Sequence, residues 1–481
     1  MKNVNLIFAL VLLWWACNSP KGQPAAEEKT SQNFHLTVKI KGFPNGKVKL
    51  LGFIGDQSFL LDSAMTDATG KAQFKHDTLL PSGMYFLVFP DETFAQMLID
   101  KSQHITMEFD KADVVNTMQT QGSLDMELLY KNLRFEAGLT RKFDELKEQM
   151  DKLDKASDEY KKLEEEQNKL LEERKAHIRW FADNYPNAFF TRFKIAGQNP
   201  ELKKPLRPDG SVDEELQVYY YRNEFWDNVD FTDERLLRTP VYFNKLKKFM
   251  KELTPQIPDS LIKYADIISE KSKANKELFK FTVNWIALQY KNSKIMGLEK
   301  VYVHMVDKYW TKDQAWWSND EEINGLRKEI SYMKPSLIGE IGQDIRAKNE
   351  KGEYISMYEV IKTPITVLYI FSYECDNCKK ETPHFVEVMK EWKAKGVADA
   401  FTLSVDNDEK LWKEYITQSG LIQFHNVFDF NRESQYHRKY HIDVTPEIYV
   451  MNKEHRIIAS NIDSKQLPEI FERELGSSVK R

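Results

Sequence analysis

The stretch ITVLYIF (365–371) most constrains what this chain can become. It is a continuous apolar run of β-prone residues with no polar alternation. A strand of that kind has no solvent face and must be covered on both sides. Cys375 follows closely, opening Cys375-Asp376-Asn377-Cys378, and a charged, helix-prone segment then runs to about Lys395. Further on come VADAFTLSVD as a strand, DEKLWKEYITQSG as a helix, FHNVFDF as a strand and ESQYHRKYHI as a helix. VTPEIYVMN and HRIIAS follow as strands, and a closing helix begins at Gln466. Upstream, IGEIGQDIRAKNEKGEYISMYEV reads as a hairpin around Lys351-Gly352. Strands alternating with helices predict an α/β sheet with both faces covered.

Two cysteines at this spacing can be a redox pair, half of a metal site or inert thiols. At a strand-to-helix junction the first sulfur meets the free N–H groups and positive dipole end of the helix, which stabilise a thiolate. The second lies one turn inside. Cys375 is therefore the expected attacking thiol and Cys378 the shielded resolving one. A tetrahedral zinc site needs a second ligand pair. No further cysteines exist beyond Cys17, and none of His384, His425, His437 and His441 stands at ligand-pair spacing with the cysteines. We therefore assign no metal and no cofactor. A thiol peroxidase would carry Pro-x-x-x-Thr/Ser-x-x-Cys. Ser372 fits the hydroxyl position, but Leu368 stands where proline is required.

The chain has 481 residues, a length that suits roughly three domains of ~150 residues each. Residues 34–122 alternate in short runs such as FHLTVKIKGF and KVKLLGFI, separated by Pro-Asn-Gly and Gly-centred turns, which predicts an antiparallel β-sandwich. In 123–184 the period changes. Leu139, Phe143, Leu146, Met150 and Leu153 step at helical spacing, with Tyr160, Leu163 and Leu170 in phase. This is a long helix or a helical hairpin with a break near 155–158. It serves either to join two copies as a homodimer or to pack on its own chain. Residues 185–334 are aromatic and helical, as in LFKFTVNWIALQY. Their aromatic stripes are either core or the lining of a groove. Asp227, Asp230 and Asp233 superficially suggest metal ligation but lack the glycine a calcium loop needs. Residues 335–481 hold the α/β domain. The fold class is thus multidomain: sandwich, helical region, then α/β domain.

The N-terminus MKNVNLIFALVLLWWAC has one lysine and an apolar run from Val4 to Ala16, too short to span a bilayer and suited to a secretory signal. Ala16-Cys17 resembles the bacterial lipoprotein box, in which Cys17 carries lipid; ordinary cleavage nearby is the alternative. Residues 1–17 are then the signal peptide and 18–33 a flexible tether. With Cys17 lipidated, the exported body keeps one cysteine pair. A net charge of −5 without a Lys/Arg block argues against nucleic acid as a partner.

Cys375-Asp376-Asn377-Cys378-Lys379-Lys380-Glu381-Thr382-Pro383 and Val444-Thr445-Pro446-Glu447-Ile448-Tyr449-Val450 occur in that order, with the expected elements between them. Together they resemble the thioredoxin-like thiol–disulfide oxidoreductases of the bacterial cell envelope, the TlpA/ResA-like group. The likeness covers about 335–476, and the upstream layout resembles Bacteroidetes-type lipoproteins. It implies that Pro383 kinks the active-site helix. It also implies that Pro446 is a cis-proline beside the cysteines and that the Thr445 backbone binds client. Glu374 stands where the family usually has tryptophan, and Tyr369 where small relatives keep a buried aspartate. Asp406 is either a stand-in proton-shuttling carboxylate or a cap for the helix starting near Asp408. Glu374 and Asp376 place like charge beside Cys375, which predicts a raised thiol pKa and a reducing pair. The expected function is reduction or isomerisation of disulfide-bearing envelope proteins by a chain anchored to the membrane by lipid and facing the periplasm. Such a chain draws on a membrane thiol electron donor. A non-enzymatic, client-binding scaffold is the alternative.

Overall fold

The structure is a computed structural model and describes residues 31–478 apart from 294 and 443. Cys17 and the signal peptide lie outside the described residues. The chain divides into two compact units, the first ending at Lys245 and the second beginning at Leu246.

The first unit opens with β1 (Phe34–Lys41), β2 (Lys47–Ile54), β3 (Gln57–Met65), β4 (Lys71–His76), β5 (Gly83–Val88), β6 (Phe94–Ile99), β7 (His104–Asp110) and β8 (Gln119–Gln121). They form two four-stranded sheets, ordered β4-β1-β7-β8 and β3-β2-β5-β6. Alternation drives the pairing of faces: Phe34, Leu36, Val38 and Ile40 of β1 are fully buried in one core with Val48 and Leu50 of β2. One pair departs from the antiparallel expectation. β1 and β7 run parallel, in register from His35 against His104 to Lys41 against Asp110. The strand β3 escaped the sequence reading because its residues are largely exposed and show no alternation of burial.

After the one-turn helix α1 (Val114–Thr117), α2 (Leu124–Met150) and α3 (Asp158–Asn184) form the hairpin. Ser123 and Ser157 cap their N-termini by accepting the N–H of Met126 and Tyr160. Leu139, Leu146 and Leu170 are buried together, with Phe135, Phe143 and Leu163 against them. The seam is thus filled by the two arms of the hairpin. Met126, Leu129 and Tyr130 of α2 and Phe189 and Phe190 of α4 (Phe189–Ala196) join the sandwich core. Beyond α5 (Glu214–Glu224), Asp233 caps a 3-10 turn at Glu234–Arg238, and Arg235 bridges Asp233 and Asp100 at 2.6 and 2.8 Å. Asp230 accepts from Thr232 and pairs with Arg192. The expected helical domain 185–334 is therefore divided: its first part belongs to the unit that carries the sandwich.

Helix α6 (Pro240–Lys248) leads into the second unit, followed by a π-helical turn at Phe249–Leu253. Next come α7 (Pro258–Ser272), α8 (Lys276–Lys291), α9 (Glu299–Tyr309) and α10 (Asp320–Met333). Tyr290, Tyr302, Tyr309 and Trp310 are buried, so these aromatics are core. The chain then builds β9 (Arg346–Lys348), β10 (Tyr354–Ser356), α11 (Met357–Val360), β11 (Ile365–Phe371), α12 (Asp376–Ala394), β12 (Ala398–Ser404), α13 (Glu409–Gln418) and β13 (His425–Phe428). It ends with α14 (Tyr436–Lys439), β14 (Glu447–Met451), β15 (Ile457–Ser460) and α15 (Leu467–Ser478). One seven-stranded sheet results, ordered β10-β9-β13-β12-β11-β14-β15. β11 is buried throughout and sits inside the sheet, parallel to β12 and antiparallel to β14. Val367, Tyr369 and Phe371 feed the core on one face, and Leu368 and Ile370 the core on the other. The helix expected over ESQYHRKYHI shrinks to one turn, because Arg432 and Gln435 adopt positive φ just before it.

Candidate functional site

The site forms at the C-terminal ends of β11 and β12. The loop leaving β11 is pinned by Asp406, a buried carboxylate beyond β12. Ser372 Oγ donates to its Oδ1 at 2.5 Å; the Tyr373 N–H and Ser404 Oγ donate to its Oδ2 at 2.9 and 2.7 Å. Ser372 Oγ in turn accepts the Glu374 N–H. This corrects the expectation that Asp406 caps the next helix. Asp408 is the cap of α13, accepting from Lys410 and Leu411, and Asp406 instead shapes the loop before Cys375.

Cys375 is the N-cap of α12, and its sulfur accepts the Cys378 N–H at 3.3 Å. Its thiol donates to the Thr445 carbonyl at 3.1 Å, and the Thr445–Pro446 peptide that follows is cis. The two motifs that were far apart in sequence thus meet at one sulfur. Cys375 is half-buried and Cys378 fully buried, and both are thiols. Burial pushes the Cys375 thiol up. Hydrogen bonds from the Thr445 and Cys378 side chains and the backbone N–H groups of Cys378 and Asn377 outweigh it, and the thiol lies below its ordinary value. Cys378 is pushed up to about 12, first by burial.

The predicted rise at Cys375 from Glu374 and Asp376 is therefore overturned, and with it the argument that these charges make the pair reducing. Both are exposed, Asp376 with 88% of its side chain, and it faces Lys379 at 3.8 Å. Charges in water are screened, while amides aimed at the sulfur are not. Pro383 lies inside α12. It lacks the N–H that would bond the Lys379 carbonyl.

Three hydroxyl residues near the cysteines were not grouped by the sequence. Tyr369 Oη lies 2.9 Å from Thr382 Oγ1, and Tyr415 Oη donates to the same oxygen at 3.0 Å. The only sequence signal is that Thr382 stands four residues after Cys378, on the same helix face. Beside the Pro446 loop a cleft of about 370 Å³ is lined by Asn377, Lys380, Glu381, Val444, Pro446, Glu447, Asn461, Ile462 and Asp463. Glu381 there accepts the Ser464 N–H at 2.6 Å. Among the described residues, no group of three or more His, Cys, Asp or Glu is placed to hold a metal ion.

A sheet of this order with a Cys-x-x-Cys helix and a cis-proline loop is the thioredoxin-like arrangement. Residues 338–460 match the AhpC/TSA family, so the C-terminal domain is an AhpC/TSA thioredoxin-like domain. Residues 147–332 match a domain of unknown function, DUF5106. No curated protein matches the chain. Among solved structures, a thioredoxin-like protein from Bacteroides caccae is 14% identical with a TM-score of 0.46, covering 57% of this chain and 99% of its own. A domain of a possible thiol-disulfide isomerase from Cytophaga hutchinsonii is 24% identical with a TM-score of 0.28, covering 31% of this chain and 99% of its own. A thiol-disulfide oxidoreductase from Bacteroides fragilis is 22% identical with a TM-score of 0.26, covering 28% and 98%.

Proposed function

We propose that the chain is a thiol–disulfide oxidoreductase of the cell envelope, a reductase or isomerase of client disulfides that works through Cys375 and Cys378. One observation carries this reading: the half-buried Cys375 sulfur sits at a helix N-cap against the carbonyl that precedes a cis-proline. The Cys375 thiolate attacks a client disulfide. A bond forms between Cys375 and one client sulfur, and the other client sulfur leaves as a thiolate that takes up a proton. Cys378 gives up its proton and attacks Cys375, releasing the second client sulfur. The client gains two electrons and the pair becomes a disulfide. An isomerase takes the two electrons back from the same client, which closes a different disulfide while the pair returns to two thiols. A reductase must be recharged, and in an exported compartment that supply is a membrane thiol donor. The Thr445 backbone, freed of the Cys375 thiol, is the group we assign to client binding, beside Pro446. Lipid on Cys17 would hold the chain at the membrane facing the periplasm, where disulfide-bearing envelope proteins are its clients. The fit of the N-terminal sequence to a lipoprotein signal supports that placement.

The test is reduction of insulin by the full chain with dithiothreitol. The wild type accelerates it, Cys375→Ser abolishes the acceleration, and Cys378→Ser accumulates mixed disulfides. A folded wild type without activity would favour the scaffold reading. The AhpC/TSA match favours a second chemical reading, a thiol peroxidase. Against it, Leu368 replaces the proline, and Ser372 is engaged by Asp406. Peroxide consumption by the reduced protein decides between them.

A further inference from the structure

The sandwich carries a feature that the chemistry at Cys375 does not use. In the sheet ordered β3-β2-β5-β6, alternate residues turn inward and their neighbours turn out. Val48, Leu50, Leu87 and Ala95 are buried in the core. The registers set the outward residues in rows. One row joins Leu60 of β3, Leu51 of β2, Phe86 of β5 and Gln96 of β6. The next joins Ser63, Lys49, Val88 and Phe94, and beyond it Lys47 stands opposite Met65. Leu60 and Met65 are each 60% exposed and Phe94 is 48% exposed, with its ring edge-on to Phe86 at 5.4 Å. The solvent face of an antiparallel sheet is ordinarily polar. Here an apolar band crosses all four strands.

The charge on this face has one sign. Lys47 and Lys49 are exposed in it, and among the described residues no carboxylate is. Asp62 stands opposite the core residue Leu50 and pairs with His76 at 3.5 Å. Asp56 lies in the β2–β3 turn. Asp91 and Glu92 lie in the β5–β6 turn, where Asp91 is paired with Lys111. Apolar side chains flanked by lysines match a layer that is anionic at its surface and apolar beneath. Two copies set face to face would instead bury both pairs of lysines with no carboxylate to meet them.

We propose that this face docks on an anionic lipid surface: Leu60, Met65 and Phe94 enter the headgroup layer, and Lys47 and Lys49 meet the lipid phosphates. The proposal rests on the lipid anchor at Cys17 proposed above. Residues 18–33 separate that cysteine from the sandwich and reach at most ~55 Å, so the anchor keeps the sandwich close to the bilayer. The two attachments differ in kind. The anchor is indifferent to lipid charge, whereas the face requires it.

The experiment uses the full chain on vesicles of phosphatidylcholine alone and of phosphatidylcholine mixed with phosphatidylglycerol, read by sedimentation and by hydrogen–deuterium exchange. Exchange in β3 and β6 is expected to be severalfold slower on the anionic vesicles than on the neutral ones, and the difference should fade at high salt. Lys47→Glu with Lys49→Glu should abolish the difference, while Lys47→Arg with Lys49→Arg keeps it. Leu60→Ser with Phe94→Ser should abolish it too, and unchanged exchange in β1, which lies inside the other sheet, shows that the fold is kept. Equal exchange in β3 and β6 on both vesicles would overturn the proposal. Protection that appears without vesicles and grows with protein concentration would overturn it in favour of a second copy. A chain that sediments with neither vesicle lacks the anchor and the docking face alike. One that sediments with anionic vesicles alone, and only with Lys47 and Lys49 intact, lacks the anchor but keeps the face.

Discussion

Each unit buries carboxylates, and two of these sites, one in each unit, handle them in opposite ways. In the first, Asp100 and Asp233 both close on Arg235, so charge answers charge. In the second, Asp406 is met by two hydroxyls and one backbone N–H, and among the described residues no basic side chain pairs with it. A carboxylate locked to a guanidinium holds elements together. A carboxylate satisfied by neutral donors can shape a loop without setting a cation beside the sulfur that the loop presents. The difference separates a structural fastening from a support for chemistry.

Removing the cation gives the largest effect. Arg235→Ala leaves two carboxylates buried without their partner and should cost about 3–5 kcal/mol, read from denaturant unfolding of the reduced chain. If the loss is slight, the charge-paired half of the comparison fails. Asp406→Asn should cost less, about 1–3 kcal/mol, because an amide cannot accept three donors where two oxygens did. That variant should also slow Cys375 attack on a small disulfide. An unchanged rate would mean that the loop does not depend on its carboxylate.

The thiols sharpen the comparison through pH. Cys375 lies below its ordinary value, so its alkylation by iodoacetamide should level off below the ~8.5 midpoint of a free thiol. Its contribution to stability of the reduced fold is present above the unfolded thiol's pKa and is lost as pH falls through the folded one. Cys378 behaves oppositely. Pushed up to about 12, its contribution is complete below the unfolded value and is lost as pH rises toward 12. Mass spectrometry after alkylation at pH 8 should find Cys375 modified and Cys378 spared. The smallest effect belongs to the exposed charges: Glu374→Gln and Asp376→Asn should each move the Cys375 midpoint by less than about half a unit. A larger shift would restore the electrostatic argument that their exposure removes.

What could be read from sequence was local. ITVLYIF announced a strand buried on both faces because it lacks alternation, and Cys375-x-x-Cys378 marked the helix start because the spacing is one turn. Pro446 could be placed beside them only through a family likeness. The Tyr369, Thr382 and Tyr415 cluster was hidden because its members come from β11, α12 and α13, and no spacing links them. The role of Asp406 was hidden too, since capping and loop-pinning make the same demand on sequence: an acidic residue after a strand. The division at Lys245 carries no mark in composition, because aromatic helical sequence continues across it.

The sulfur of Cys375 is at once reagent and fastener, since it caps α12 by accepting the Cys378 amide. Every covalent partner it takes changes the charge that this amide sees. Turnover is therefore written into the opening turn of the helix. Hydrogen–deuterium exchange at that single amide would report the oxidation state of the pair without any client present.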